Sequence, residues 1–278
     1  MSTRTDGRRQ WRRNNCRMTV KWAPAPASAV REAVKRLLGF LSLLLILSAC
    51  SAQNRATSPK EVRNLAGSTQ VQQSRKAAEE HLRSIVHAYD KNTALTPGFV
   101  TVNDMCVGGA AKEWFFPTGD DQYKIHCAMR VTAYYGADPH QIADVLDGIF
   151  TAGDRDSFAG APGGTIPFNH DYHRRHLVAY YRGHGPNPTG PNTPEPAQVF
   201  DPSQTLSWDT VRSSQKKPVE EHDLCVRSDP PVTRCLHEPA SKTVADIRKQ
   251  YGAVFKLEIS VANYYQVSKK GKVIQTWK

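Results

Sequence analysis

The chain has 278 residues and a formal net charge of +11, a value that by itself would suggest a nucleic-acid-binding protein. Residues 1–49 contain ten Lys/Arg and two Asp/Glu, so the chain from residue 50 onwards carries only +3. Because the excess charge belongs to the N-terminal segment, we expect no nucleic-acid partner. The remaining 229 residues are enough for one large domain or two small ones.

An apolar run at residues 37–47 follows the basic residues Arg31, Lys35 and Arg36. Eleven residues are too few to span a bilayer, which takes roughly 20. The run has the length of the apolar region of an export signal. We therefore predict a signal region over residues 1–49.

The segment Leu47-Ser48-Ala49-Cys50 that follows resembles the lipobox of bacterial lipoprotein precursors. The resemblance covers only this segment and implies that Cys50 receives a lipid and becomes the mature N-terminus. It also implies a location at the cell membrane, anchored by lipid on the extracytoplasmic side. A buried helix that ends at a chance cysteine is the alternative.

The start of the signal region is open to two interpretations. Arginine pairs at residues 8–9 and 12–13 are compatible with a twin-arginine export signal. Translation from Met18 would instead leave a 32-residue signal, which is near the usual upper length. We prefer the second interpretation.

Four cysteines follow Cys50, and an even number in an exported chain favours disulfides. Three pairings are possible, and we predict the near-neighbour one, Cys106–Cys127 and Cys225–Cys235. A four-thiolate zinc site is the alternative, but its usual C-x-x-C spacing is missing.

The first half of the mature chain alternates helical and strand patterns. Residues 51–70 are polar and predict a tether, and 3.6-residue periodicity predicts a helix over 71–90. Short strands are predicted at 99–103 and 113–116. A period-two pattern of apolar and polar residues predicts a long, half-buried strand over 122–136.

Asp138 and Pro139 are typical of a helix start, and the apolar stripe that follows predicts a helix over 138–150. A loop is expected at 153–167 and a strand at 177–182. Six prolines then predict a long loop or a domain boundary at 183–203.

The C-terminal part predicts a strand at 205–211, a disulfide-closed excursion at 213–239 and a third helix at 242–251. A long strand at 254–267 and a hairpin arm at 272–277 complete the chain. We therefore predict an α+β fold with a mostly antiparallel sheet and about three helices packed on it. Residues 71–278 form one exported domain in this interpretation, with 183–203 as the boundary if there are two.

Four of the ten histidines lie at residues 170–184. Imidazole is a ligand for both zinc and copper, so His170, His173 and His176 are candidate metal ligands. A zinc ion there would make the chain a secreted metal-dependent hydrolase with Asp171 as the base. The missing H-E-x-x-H motif weighs against this hypothesis.

The arginines of the same stretch offer a different chemistry. Arg174, Arg175 and Arg182 are candidates for binding an anionic ligand, with pH dependence if histidines contribute. The chain has no G-x-S-x-G nucleophile motif, and no nucleotide-binding fingerprint follows a predicted strand, so no cofactor other than the possible zinc is expected. We therefore expect a lipoprotein that binds an unknown envelope protein or ligand, with the hydrolase as the alternative and a structural role in the wall as a third possibility.

Overall fold

A computed structural model describes residues 55–111, 119–158, 165–168, 170–214, 216–222 and 232–278. Residues Ala52–Lys278 belong to one compact unit. The predicted signal region, Cys50, the strand at 113–116 and Cys225 lie outside the described residues. Within the described ranges, no helix combines the length and the apolar character that crossing a bilayer requires.

The described residues form an α+β fold around one antiparallel sheet of seven strands. The strands are β1 (Thr96–Gly108), β2 (Tyr123–Ala137), β3 (Gln198–Asp201), β4 (Gln204–Trp208), β5 (Val232–Glu238), β6 (Ala253–Ser268) and β7 (Val273–Thr276). Their order across the sheet is β3-β4-β6-β2-β1-β5, and β7 pairs with the end of β6. The predicted fold class is confirmed at this level.

Five helices accompany the sheet in the described part of the chain, rather than the three predicted. They are α1 (Pro59–Ala66), α2 (Thr69–Asn92), α3 (Ile142–Phe158), α4 (residues 170–181) and α5 (Val244–Tyr251). Helix α4 starts as an α-helix over His170–His173, continues as a π-helical turn over Arg174–Val178 and ends as Ala179–Tyr181.

Helix α1 corrects the predicted tether at 50–70. Ser58 caps the helix by accepting a hydrogen bond from the Glu61 N–H, and Pro59 occupies the first turn. Val62 and Ala66, one turn apart, are both buried. The tether prediction is wrong from residue 58 onwards because this apolar pair packs the helix onto the domain.

Three further predictions differ from the structure. Residues 177–182 were expected to form a strand, but Leu177, Val178 and Tyr181 lie buried on one side of α4, as helical spacing allows. The loop predicted from residue 153 is helical as far as Phe158. The predicted excursion at 213–239 contains the edge strand β5.

The long elements follow their sequence patterns. On β2, the residues predicted to face inwards, from Tyr123 to Val131, alternate with partly or fully exposed neighbours. The predicted apolar stripe of α3 is buried throughout: Ile142, Val145, Leu146, Ile149 and Phe150. Thr243 and Asp246 form a capping box at α5, which begins at Val244, two residues after the predicted helix start.

The disulfide between Cys106 and Cys127 is present and joins directly opposite positions of β1 and β2. Both cysteines are fully buried, so this half of the predicted pairing is confirmed. Cys235 is also disulfide-bonded. Its pairing with Cys225 stays a prediction.

The sheet has two unequal faces. Helices α1 to α3 pack on one side, which we call the covered face, and its buried residues form the main core. Among the described residues, the cover on the other side, which we call the open face, lies at one end. There Val244 and Ile247 of α5 pack against Phe99 and Tyr134.

The two ends of the sheet are also distinct. The strands meet at Gly108, Tyr123 and Ser268 at the end that we call the proximal end. They meet at Gly136 and Ala253 at the opposite, distal end. Helix α5 covers the distal half of the open face, and none of the described helices covers the proximal half.

Candidate functional site

A row of polar side chains crosses the accessible half of the open face. Asn103 on β1 lies opposite Arg130 on β2, which in turn lies opposite Ser260 on β6. All three are exposed. The alternation of strand residues places them on the open face because their neighbours along each strand point into the core.

A groove of about 700 Å³ lies over this row. Its floor also includes Met105, which is 40% exposed, and Ala128 and Ala262 on the neighbouring strands. A second hollow of about 350 Å³ adjoins the groove and shares Arg130, His222 and Ser260 with it. The groove therefore combines one strong cation with an apolar patch.

Arg130 is the centre of this site. It is the sole arginine that lines the groove among the described residues, and none of their carboxylates forms an ion pair with it. Its guanidinium has five N–H donors in a planar fork that fits carboxylate or phosphate groups. An exposed guanidinium in a concave, partly apolar setting suits an anionic ligand.

A cluster of three charged or titratable side chains borders the groove. The Glu258 carboxylate accepts hydrogen bonds from His222 Nε2 (2.8 Å) and Lys256 Nζ (2.9 Å). Burial would raise the pKa of Glu258, but the hydrogen bonds and charges of Lys256 and His222 outweigh it and lower the pKa. Glu258 therefore stays ionised and is occupied by its own partners.

The covered face carries its own charges, and they are paired. Arg75 Nε on α2 lies 2.5 Å from Asp104 Oδ2 on β1. The Tyr264 hydroxyl donates a hydrogen bond to Asp104 Oδ1 at 2.7 Å. The pKa of Tyr264 is raised, mainly by burial and then by the neighbouring Asp104. Arg234 on β5 pairs with Glu79 on α2. This ion cluster, in which Asp104 is 1% and Arg234 is 40% exposed, fastens α2 to the sheet.

Two of the three arginines predicted to bind an anion are already paired. Arg174 Nε lies 2.8 Å from Asp147 Oδ1, and Arg182 Nη2 lies 2.9 Å from Asp147 Oδ2 and 3.0 Å from Asp144 Oδ1. These contacts join α4 to α3. Arg175 is exposed on the surface of α4. The three arginines therefore do not converge on one site.

The predicted histidine ligands also have other neighbours. The His173 ring stacks on Phe150 with centroids 4.9 Å apart, and burial lowers its pKa. His176 is exposed and contacts the ring of Tyr172. The His170 side chain lies outside the described residues. No group of three potential ligands is placed to hold a metal ion in the part of the chain that the structure describes.

The sequence contained part of the signal for the groove. The alternating pattern of β2 placed Arg130 on the polar face of the strand, but it did not show that this half of the face stays uncovered. His222 comes from a segment between β4 and β5 with no periodic pattern. Its position over β6 depends on tertiary contacts such as the hydrogen bond from its N–H to the Tyr134 hydroxyl.

Comparison with known protein families, with curated proteins and with solved structures gives no match for this chain.

Proposed function

We propose that the chain is a lipid-anchored protein of the cell envelope whose domain binds an anionic, partly apolar ligand in the groove on its open face. The proposed anchor is the lipid on Cys50. The proposed ligand contact is Arg130. In this proposal the domain holds its ligand and does not transform it.

The observation that carries the proposal is Arg130, a cation without a carboxylate partner in the described part of a concave surface. Other arginines of the described domain that reach into clefts or the interior, such as Arg75 and Arg248, are ion-paired. A guanidinium left unpaired at such a site gains a partner when an anion binds, and charge-assisted hydrogen bonds are the stronger class.

The rest of the groove supports an amphiphilic ligand. Met105, Ala128 and Ala262 offer apolar contact beside the cation. Methionine is flexible and polarisable, which suits a surface that adapts to its ligand. The volume of about 700 Å³ lies within the range of roughly 300–1,000 Å³ that small-molecule sites occupy.

No observation on the described residues favours the hydrolase alternative. It needs the histidines of α4 to converge, whereas His173 stacks on Phe150 and His176 is exposed. Arg174 and Arg182 use their charges to hold α4 against α3. The alternative stays a prediction.

The test uses two naphthalene probes that differ in charge. We expect anilinonaphthalene sulfonate, which is anionic, to bind the domain saturably and more tightly than neutral N-phenylnaphthylamine. Arg130→Gln is expected to weaken sulfonate binding roughly 10- to 100-fold, because a hydrogen bond to a charged group contributes about 1.5–3 kcal/mol. Fluorescence titration gives both dissociation constants.

Arg175→Gln is the matched control, because it removes an exposed arginine away from the groove. It is expected to leave the dissociation constant unchanged. Equal weakening by both variants would show that overall charge, and not the groove, attracts the probe. Absence of saturable sulfonate binding would also refute the proposed site.

A further inference from the structure

The described chain begins at the proximal end of the sheet and is fixed there. The Thr57 N–H donates to the Gly109 carbonyl at 2.9 Å. The Lys269 ammonium donates to the carbonyls of Arg55 (3.0 Å) and Ala110 (2.7 Å). The position of residue 55 is therefore set by contacts with two loops of the sheet.

If the proposed anchor is correct, the short chain length between residue 55 and Cys50 limits how far the proximal end can lie from the membrane. Arg55 follows Cys50 by five positions, and a fully extended chain covers about 17 Å over that length. A lipid on Cys50 would hold the proximal end within that distance of the bilayer. This limit on the distance rests on the proposed function, whereas the net charge of the proximal end does not.

The proximal end is more basic than the rest of the domain. Four segments meet there through backbone and side-chain contacts: residues 55–63, 108–111, 119–124 and 268–272. Together they contain seven Lys/Arg and three Asp/Glu, a net charge of +4. The chain from residue 55 onwards has a net charge of +3, so the remainder carries −1.

Several of these cations are available to a partner. Lys60, Lys270 and Lys272 are exposed, and none has an ion pair with a described residue. Lys124 differs, because it lies 3.5 Å from Glu61. Lys269 differs as well, because its ammonium donates hydrogen bonds to the backbone carbonyls of Arg55 and Ala110, and burial lowers its pKa.

We propose that the proximal end binds the anionic phospholipid headgroups of the membrane to which the chain is anchored. Each basic residue near an anionic bilayer surface contributes about 1 kcal/mol, which is roughly a fivefold gain in affinity. Beside a covalent lipid, the role of this contact is to orient the domain. The distal end then points away from the membrane.

This orientation brings the groove close to the bilayer. Met105 lies three residues from Gly108, or about 10 Å along the strand. The accessible half of the open face is the proximal half. The ligand class that fits both features is an anionic amphiphile that enters the groove directly from the membrane surface.

The experiment uses residues 52–278, which form one compact unit and lack Cys50. Vesicles of phosphatidylcholine alone are compared with vesicles of equal parts phosphatidylcholine and phosphatidylglycerol. We expect sedimentation with the anionic vesicles only, and loss of binding as salt shortens the screening length. The triple variant K60Q/K270Q/K272Q is expected to bind about 100-fold more weakly.

The control variant K91Q/K217Q/K249Q removes the same charge from exposed lysines outside the four proximal segments. It is expected to lose little affinity. Equal losses for the two triple variants, or equal binding to both vesicle types, would overturn the proposal. Thermal unfolding of each variant checks that the fold is intact.

The anchor is tested separately, by following Cys50→Ser in cells that express the full chain. Loss of the lipid mass and of membrane fractionation is expected. If Cys50 is not lipidated but the vesicle result holds, the basic surface remains and the anchor is wrong. If Cys50 is lipidated but the vesicle result fails, the anchor remains and the orienting surface is wrong.

Discussion

The two faces of the sheet use arginine in opposite ways. On the covered face, Arg75 and Arg234 each meet a buried or half-buried carboxylate that belongs to a neighbouring element. On the open face, Arg130 lies in a groove without such a partner among the described residues. Paired charges hold a fold together, whereas an unpaired one in a concave surface is available to a ligand.

The same contrast applies to the cysteines. Cys106 and Cys127 are fully buried within the covered face. Cys235 lies one strand away on β5, opposite Asn103, and is exposed on the open face. The covered face therefore stabilises the fold and the open face is the accessible one, so substitutions on the two faces should have different consequences.

The largest effect is expected from Asp104→Asn. Asp104 is 1% exposed, and its loss would leave Arg75, 12% exposed, without its carboxylate. Removing one member of a buried ion pair costs about 3–5 kcal/mol of unfolding free energy. Urea denaturation measures this loss of unfolding free energy. Arg130→Gln, the comparison variant on the open face, is expected to lose about 0.5 kcal/mol or less. Similar values for the two variants would remove the distinction between the faces.

A smaller effect is expected from removing the buried disulfide. The double variant Cys106→Ala with Cys127→Ala opens a loop whose ends are 21 residues apart. The chain-entropy model gives a loss of about 3 kcal/mol. In a limited reduction of the native protein, thiol labelling followed by mass mapping should find Cys235 before Cys106 or Cys127. Labelling of Cys106 first would contradict the assigned burial.

The smallest effect concerns acid stability and Glu258. Its pKa in the folded protein lies below the ordinary 4.5, so ionised Glu258 stabilises the fold above that value. This contribution is lost as the pH falls through the folded pKa. Glu258→Gln should therefore reduce the stability difference between neutral pH and about pH 3, by less than about 1 kcal/mol. An unchanged difference would mean that Lys256 and His222 do not favour its ionised form.

Much of the fold follows from local sequence patterns. Period-two alternation predicted β2 and β6, and helical periodicity predicted α2 and α3, because these elements each bury one face against a single core. The near-neighbour spacing predicted the Cys106–Cys127 disulfide. These features depend on residues close in the chain or on one dominant pattern.

The elements that were missed lack such a pattern. Helix α1 is eight residues long and buries only Val62 and Ala66. Strand β5 is an edge strand that places Arg234, a member of the ion cluster with Glu79 and Asp104, on the covered face, so it shows no apolar alternation. Helix α4 contains tyrosine and valine, which favour strands, and tertiary packing decides its conformation.

The candidate site was the hardest feature to predict. Because the histidine and arginine residues of 170–184 are close together in sequence, they predicted a metal-binding or anion-binding site. In the structure, Arg174 and Arg182 pair with α3, and the groove instead collects Asn103, Arg130 and Ser260 from three strands. Residues separated by more than 150 positions in the chain become neighbours only through strand order.

The contacts of the Lys269 ammonium determine which strands would receive a force applied to the N-terminal segment. It connects the backbone at Arg55 to the Gly109–Ala110 loop, and its own residue follows β6. A force applied at residue 55 would therefore be transmitted to the ends of β1 and β6 as well as to α1. Because those strands lie inside the sheet, mechanical load from a surface attachment would be resisted by many backbone hydrogen bonds at once, rather than unzipping the domain from its first helix.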